Sequence, residues 1–176
     1  MKKKIAILLP YKEKYTYKDA AAASIWVKDY LKKSYLTKDT LVFGNLQKNR
    51  KPLTRNFINI NLSNVGFKKN YFYTKKFYEN CLINKFEVIE IHNRPEYLNF
   101  LINKKIKSKL IFFFHNNPQD IRGSKTIKER IKILENTDKV FFVSLWTKRK
   151  FFEGLPFKTK ANCEILYPSI KKLKNF

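Results

Sequence analysis

Both histidines of this 176-residue chain close the same pattern, an apolar run ending in His-Asn-x-Pro. Val88 to Ile91 leads into His92-Asn93-Arg94-Pro95, and Leu110 to Phe114 leads into His115-Asn116-Asn117-Pro118. An apolar strand that finishes in hydrogen-bonding side chains and is stopped by proline delivers them to the carboxyl edge of a sheet. Open α/β folds place their ligands at that edge. There, beside helix N-termini with free backbone N–H groups, an anion such as a phosphate is favoured. The same residues also fit a plainer purpose, in which each imidazole and its asparagine satisfy loop backbone groups.

Three more groups have side chains suited to binding. Arg94 carries a fork that can grip a phosphate or carboxylate at two points. Arg122-Gly123-Ser124-Lys125 sets two cations just before a helix, where the dipole disfavours positive charge and a bound anion would offset the conflict. Ala20-Ala21-Ala22-Ala23-Ser24 opens a helix with residues small enough for a ligand to approach the backbone, although a tetra-alanine is also simply good helix. The sequence holds no Gly-x-Gly-x-x-Gly, Walker loop, catalytic triad or metal-spaced carboxylate set, which excludes classical dinucleotide and nucleoside-triphosphate enzymes. Cys81 and Cys163 stand far apart and outside any Cys-x-x-Cys pair, and read as small buried apolar residues.

Positioning these groups requires alternating strands and helices. Ile5 to Leu9 is a short apolar run, and Ala20 to Lys33 carries Ala23, Trp26, Val27, Tyr30 and Leu31 at helical spacing. Thr40 to Phe43 and Phe57 to Leu62 read as strands joined by a basic loop through Lys48, Arg50, Lys51 and Arg55. Thr74, Phe77, Tyr78, Cys81 and Leu82 mark a helix that feeds the strand Phe86 to Ile91. Pro95 opens a helix facing inward through Leu98, Leu101 and Ile102, and the wholly apolar Leu110 to Phe114 suits a strand buried on both faces. Ile127, Ile131 and Leu134 define a helix begun by Ser124 or by Thr126-x-x-Glu129. Lys139 to Val143 is a strand, Ser144 caps a helix over Leu145 to Glu153, and Glu164 to Leu166 is the last strand. This order predicts a Rossmann-like open, mostly parallel sheet with helices on both faces. One domain over 1–168 and a linker or basic tail over 169–176 follow.

With 38 Lys and Arg against 14 Asp and Glu, the formal charge of +24 favours acidic partners. Abundant Lys, Asn, Ile, Phe and Tyr together fit an AT-rich coding sequence, which accounts for part of that charge. The lysines are scattered in short clusters, at Met1 to Lys4, Lys68-Lys69, Lys75-Lys76 and Lys171 to Lys174. The opening Met1 to Leu9 imitates a signal peptide but meets Pro10 and Lys12-Glu13-Lys14 too soon, and no run approaches the ~20 apolar residues of a membrane span. A cytoplasmic protein is expected, with the inner face of the membrane as a further location.

In order, Lys4-Ile-Ala-Ile-Leu-Leu-Pro10, the small-residue turn Ala20 to Ser24, Glu90-Ile-His92-Asn-Arg-Pro95, Phe114-His115-Asn-Asn-Pro118, Arg122-Gly-Ser-Lys125 and Val140-Phe-Phe-Val-Ser144 resemble the amino-terminal domain of glycosyltransferase family 4. Ile165-Leu-Tyr-Pro-Ser169 looks like the strand and hinge leading to the second domain of such enzymes. The resemblance implies one half of a GT-B architecture, which moves a sugar from a nucleotide-sugar to an acceptor with retention and generally without a catalytic metal. It makes His115 the catalytic-centre residue near the donor sugar. It also makes Ala21, Ala22, Ala23 and Ser24 the donor-proximal turn, with alanine where the family usually has glycine.

His92, Asn93, Arg94, Asn116, Arg122 and Lys125 become acceptor-binding candidates. The co-substrate would be a nucleotide-sugar, and the partners a glycan, lipid-linked or other sugar acceptor, a separate carboxyl-terminal half and an anionic membrane surface, with no specific nucleic acid. Because most groups that stabilise an oxocarbenium-like sugar and a departing diphosphate belong to that other half, no transfer by this polypeptide alone is expected. The competing reading is a basic binding module for anionic membrane or nucleic acid, supported by the charge and by aromatic residues interleaved with lysines from Phe67 to Tyr78.

Overall fold

Short apolar runs that must be buried on both faces can pair in parallel only through crossovers, and seven of them do so here. The computed structural model describes residues 4–47, 49–62 and 67–168. The strands are β1 (Ile5–Leu8), β2 (Thr40–Gly44), β3 (Phe57–Asn59), β4 (Val88–His92), β5 (Lys109–Phe114), β6 (Lys139–Phe142) and β7 (Cys163–Ile165). The helices are α1 (Ala22–Lys33), α2 (Lys69–Asn84), α3 (Pro95–Asn103), α4 (Ile127–Glu135) and α5 (Leu145–Phe152). All pairings are parallel, in the order β3-β2-β1-β4-β5-β6-β7. Crossovers therefore leave the adjacent β1 and β4 in opposite directions, and a crevice opens beyond their carboxyl ends.

Strand alternation sorts the core into two layers. Ala6, Leu8, Phe43, Ile89, Ile91, Phe112, Phe114 and Phe142 face α2 to α5, meeting Phe77, Leu98, Ile133 and Phe151. Ile7, Leu9, Val42 and Phe113 face α1, meeting Ala23, Trp26, Val27 and Leu31. Both cysteines are buried and unpaired. The Rossmann-like reading holds, with α1 the one α-helix of the second layer among the described residues.

Local differences from the sequence reading have local causes. The strand at Phe57 stops at Asn59, whose side chain accepts from Leu46 N–H at 2.8 Å and donates to the Leu46 carbonyl at 3.1 Å, ending the ladder. The helix at Ala20 begins at Ala22, after the extended Ala21. Of the two proposed starts for α4, Thr126 is the N-cap, in a reciprocal capping box with Glu129. Ser124 is instead buried and donates to the Pro118 carbonyl at 2.6 Å.

The inward face of α4 is Arg130, Ile133 and Leu134 rather than a stripe through Ile127, which is exposed. Arg130 is tolerated there because its guanidinium reaches the carbonyls of Lys125 at 2.7 Å and Glu153 at 2.8 Å. The proposed tail over 169–176 and Lys48 lie outside the described residues, as does all of the Met1 to Lys4 cluster except Lys4.

Gly123 shows how tightly the turn before α4 is held against α3. Its φ is +90°, and an added Cβ would sit 3.0 Å from Pro95 Cβ. Gly123→Ala is expected to cost about 1–3 kcal/mol, measured as a lower urea midpoint at unchanged slope.

Candidate functional site

The two His-Asn loops meet at the carboxyl edge. His92 ends β4 in register with Phe113, and its ring stacks on that phenylalanine with centroids 4.6 Å apart. Asn93 takes up a left-handed conformation (φ 55°), and its N–H donates to the Phe113 carbonyl at 2.9 Å. This turn brings Asn93 Oδ1 to the His115 N–H at 2.8 Å, fastening one loop to the other. His92 Nδ1 and His115 Nε2 lie 2.8 Å apart and share one hydrogen bond. Trp26 of α1 covers both rings, at centroid distances of 5.7 and 5.9 Å.

Dryness sets the electrostatics of this cluster. Burial pushes the His92 imidazole down to about 3. It pushes His115 down to about 2, with the neighbouring His92 adding to the effect. Both rings are therefore neutral at neutral pH and act as hydrogen-bonding groups, not as cations that hold a phosphate. Glu90, two residues before His92 on the same face of β4, is buried as well, and its carboxyl is pushed up to about 8. Glu90 Oε2 faces His92 Nε2 at 3.9 Å, and neither atom has a hydrogen-bond partner.

His115 reaches a cavity of about 280 Å³ that it lines with Ala22, Ile25, Trp26, Asp29 and Val143. His92 is fully buried and Asn93 nearly so, and both are spent on supporting His115. Asn116 is exposed and makes no hydrogen bond among the described residues.

At the start of α1, Ala21 caps the helix without a side-chain hydrogen bond, and Ala22 is exposed. The Ala23 N–H donates to Glu13 Oε1 at 3.1 Å, so a carboxyl group of the chain's own β1–α1 loop sits at this helix N-terminus. Burial raises the Glu13 carboxyl, an effect opposed by the Ala23 hydrogen bond and by Arg94. Ser24 is fully buried.

A second, larger cavity of about 560 Å³ opens between the β1–α1 loop and the starts of α2 and α3. Tyr11, Tyr71, Tyr97 and Phe100 give it an aromatic lining, and Lys12, Lys68, Lys69 and Arg122 surround it with cations. Glu96 takes Arg122 Nε at 3.0 Å and Asn70 Nδ2 at 2.9 Å. Arg94 lines neither cavity and donates to the Asn93 carbonyl at 3.0 Å. Lys125 is exposed and does not line either cavity. The candidate residues thus divide, His115 and Ala22 at the smaller cavity and Arg122 at the larger. Among the described residues no three His, Cys, Asp or Glu side chains cluster as a metal site.

Comparison with solved structures places this edge in context. The chain superposes on sucrose-phosphate synthase from Thermosynechococcus elongatus with a TM-score of 0.59 at 13% identity, over 94% of this chain and 48% of that one. The chain has the Rossmann-like fold of one half of a GT-B type structure. A shorter form of the same synthase gives a TM-score of 0.58 at 13% identity, over 94% of this chain and 88% of the other. UDP-N-acetylglucosamine 2-epimerase from Rickettsia bellii gives 0.53 at 15% identity, over 94% and 44% of the two chains. The chain therefore spans about half the length of the full synthase and epimerase chains. No family model matches its sequence, and no curated protein does. No helix among the described residues is long and apolar enough to cross a membrane.

Sequence reasoning missed Glu90, Glu13 and Lys12, and it read Lys68 and Lys69 only as part of the aromatic-basic stretch Phe67 to Tyr78. Glu90 carries a readable signal, a lone carboxylate inside an otherwise apolar buried strand and in phase with His92. Glu13 has none, because its partner lies ten residues away in another element.

Proposed function

We propose that the chain is the acceptor-binding half of a retaining, nucleotide-sugar-dependent glycosyltransferase, inactive in sugar transfer by itself. The observation that carries this reading is the meeting of both His-Asn loops and the start of α1 at the point where the crossovers diverge, beside a larger cationic cleft. His115, dry and neutral, is suited to a hydrogen bond with a sugar hydroxyl at the smaller cavity. The larger cavity, with three lysines and the Glu96-paired Arg122 around an aromatic lining, suits a sugar acceptor that carries a phosphate. A nucleotide-sugar would approach from the open side of the edge, where a separate second half would supply the contacts to its diphosphate. Peripheral contact with an anionic membrane fits the net charge of +24 and would bring a lipid-linked acceptor close.

Titration of the labelled protein with glucose 6-phosphate and with glucose tests this reading. Saturable shifts at Tyr11, Asn70 and Tyr97 are expected with the phosphorylated sugar and weaker ones with glucose, with no glycoside formed when nucleotide-sugars are added. Product formation by the chain alone would overturn its inactivity. Absence of sugar binding, together with binding of generic duplex DNA that falls steeply with salt, would replace the reading with that of a basic nucleic-acid module.

A further inference from the structure

Three polar side chains stand in file behind the smaller cavity, each touching or facing the next. Glu90 Oε2 faces His92 Nε2 at 3.9 Å, and His92 Nδ1 meets His115 Nε2 at 2.8 Å. His115 Nδ1 has no partner among the described residues, which leaves it the one nitrogen of the file available to the cavity. The buried Glu90 Oε2 and His92 Nε2 are orphans that face each other. Rotation of the Glu90 carboxyl about its soft terminal torsion, closing the gap by about 1 Å, pairs them.

We propose that Glu90, His92 and His115 form a proton file in which the buried carboxyl group, acting through His92, sets whether His115 Nδ1 presents an N–H or a lone pair to the cavity. With Glu90 protonated, its O–H donates to His92 Nε2. His92 then carries its proton on Nδ1 and donates to His115 Nε2, and His115 carries its own on Nδ1, facing outward. Loss of one proton from His115 Nδ1 to a base in the cavity is refilled from behind. The His92 Nδ1 proton moves to His115 Nε2, the Glu90 proton moves to His92 Nε2, and the carboxylate accepts from the new His92 N–H. Three bonds to hydrogen break and three form, the third with the base, and both imidazoles stay neutral throughout. His115 can thus give a proton without becoming a cation, which its dry setting disfavours.

Glu90 and His92 are positioning residues in this scheme. That the outward nitrogen meets a sugar hydroxyl rests on the function proposed above, whereas the file itself does not. Ile7 of β1 and Ile111 of β5 flank Glu90 in the sheet and carry no charge. From α1, Tyr30 is the titratable group that faces Glu90, and Asp29 lines the cavity with His115. Tyr30 is itself held above its ordinary value, by burial first and by Glu90 next, so it stays neutral over the range in which the carboxyl ionises.

With only two histidines in the chain, two-bond 1H–15N correlation spectra of the uniformly labelled protein resolve each ring nitrogen. His115 Nδ1 is expected to carry hydrogen at pH 6 and to lose it to the Nε2 tautomer by pH 10, with His92 switching in step and a midpoint near 8. In Glu90→Gln both rings keep one tautomer from pH 6 to 10. A parental His115 with the same tautomer at both pH values overturns the file, and this holds even if the variant does not fold. Tautomer exchange without hexose binding would sink the glycosyltransferase reading alone, and hexose binding without exchange would sink the file alone.

Discussion

At pH 8.5 the Glu90→Gln variant is expected to resist urea better than the parent by about 5 kcal/mol, while at pH 4 the two unfold alike. The difference arises because the carboxyl is held up to about 8 in the folded chain, against 4.5 for its ordinary value. Between those limits the folded protein keeps a proton that the unfolded chain releases, so stability falls as pH rises. The contribution of Glu90 is intact below 4.5 and gone above about 8. Each pH unit in that window costs about 1.4 kcal/mol.

The histidines act in the opposite sense. His92 is lowered to about 3 and His115 to about 2, so below 6.5 the unfolded chain takes up protons that the folded one refuses. Stability therefore falls toward acid by about 1.4 kcal/mol per unit for each ring. The three groups together place the parent's maximum near the point where the histidine window ends, at pH 6.5. Glu90→Gln removes the alkaline decline and steepens the acid one between 4.5 and 6.5. Urea midpoints across pH 4 to 9 decide the matter. Equal alkaline slopes in parent and variant would mean that water reaches the carboxyl in the folded state.

How far the sequence disclosed this arrangement depended on the range of the interaction. The parallel sheet was legible because β5 is apolar from Leu110 to Phe114 and because helices of regular spacing separate the strands. Pro95, Thr126 and Ser144 marked the starts of α3, α4 and α5 through contacts only one to three residues long. The gathering of His92 and His115 at one edge followed from topology, since each closes a strand of the same sheet.

Their direct contact did not follow, because it requires the left-handed turn at Asn93 and a register that no local pattern specifies. The larger cavity was visible only in part. It joins Lys12 from one loop, Lys68 and Lys69 from the start of α2, and Arg122 from the turn before α4. Arg122 stood out as a cation at a helix start and Lys68 and Lys69 within the aromatic-basic stretch Phe67 to Tyr78, but no local pattern joins the three segments. The occupant of the α1 N-terminus was likewise supplied from a distance, by Glu13.

Trp26→Ala is expected to be the most damaging single change to both stability and the proposed site. The indole is 8% exposed, stacks on Tyr30 at 5.3 Å and packs against Phe113 at 4.9 Å, besides covering the two imidazoles. Truncating a buried tryptophan to alanine costs about 3–5 kcal/mol, a large share of the ~5–15 kcal/mol that holds a domain together. A second consequence separates this residue from an ordinary core position. The low values of His92 and His115 come first from burial, and Trp26 is the lid that separates His92 from the smaller cavity and shares that cavity's wall with His115.

Removing that lid admits water, so both imidazoles should rise toward 6.5 in Trp26→Ala, with His115 rising further because it lies nearer the cavity. Trp26→Phe should keep most of the stability and hold His92 low, since a ring still covers it. Titration of the ring signals in the two variants distinguishes the outcomes. Histidines that stay low in Trp26→Ala would mean that the sheet itself, through Phe113, keeps them dry. A proton file would then persist without its lid, and the tryptophan would matter for packing alone.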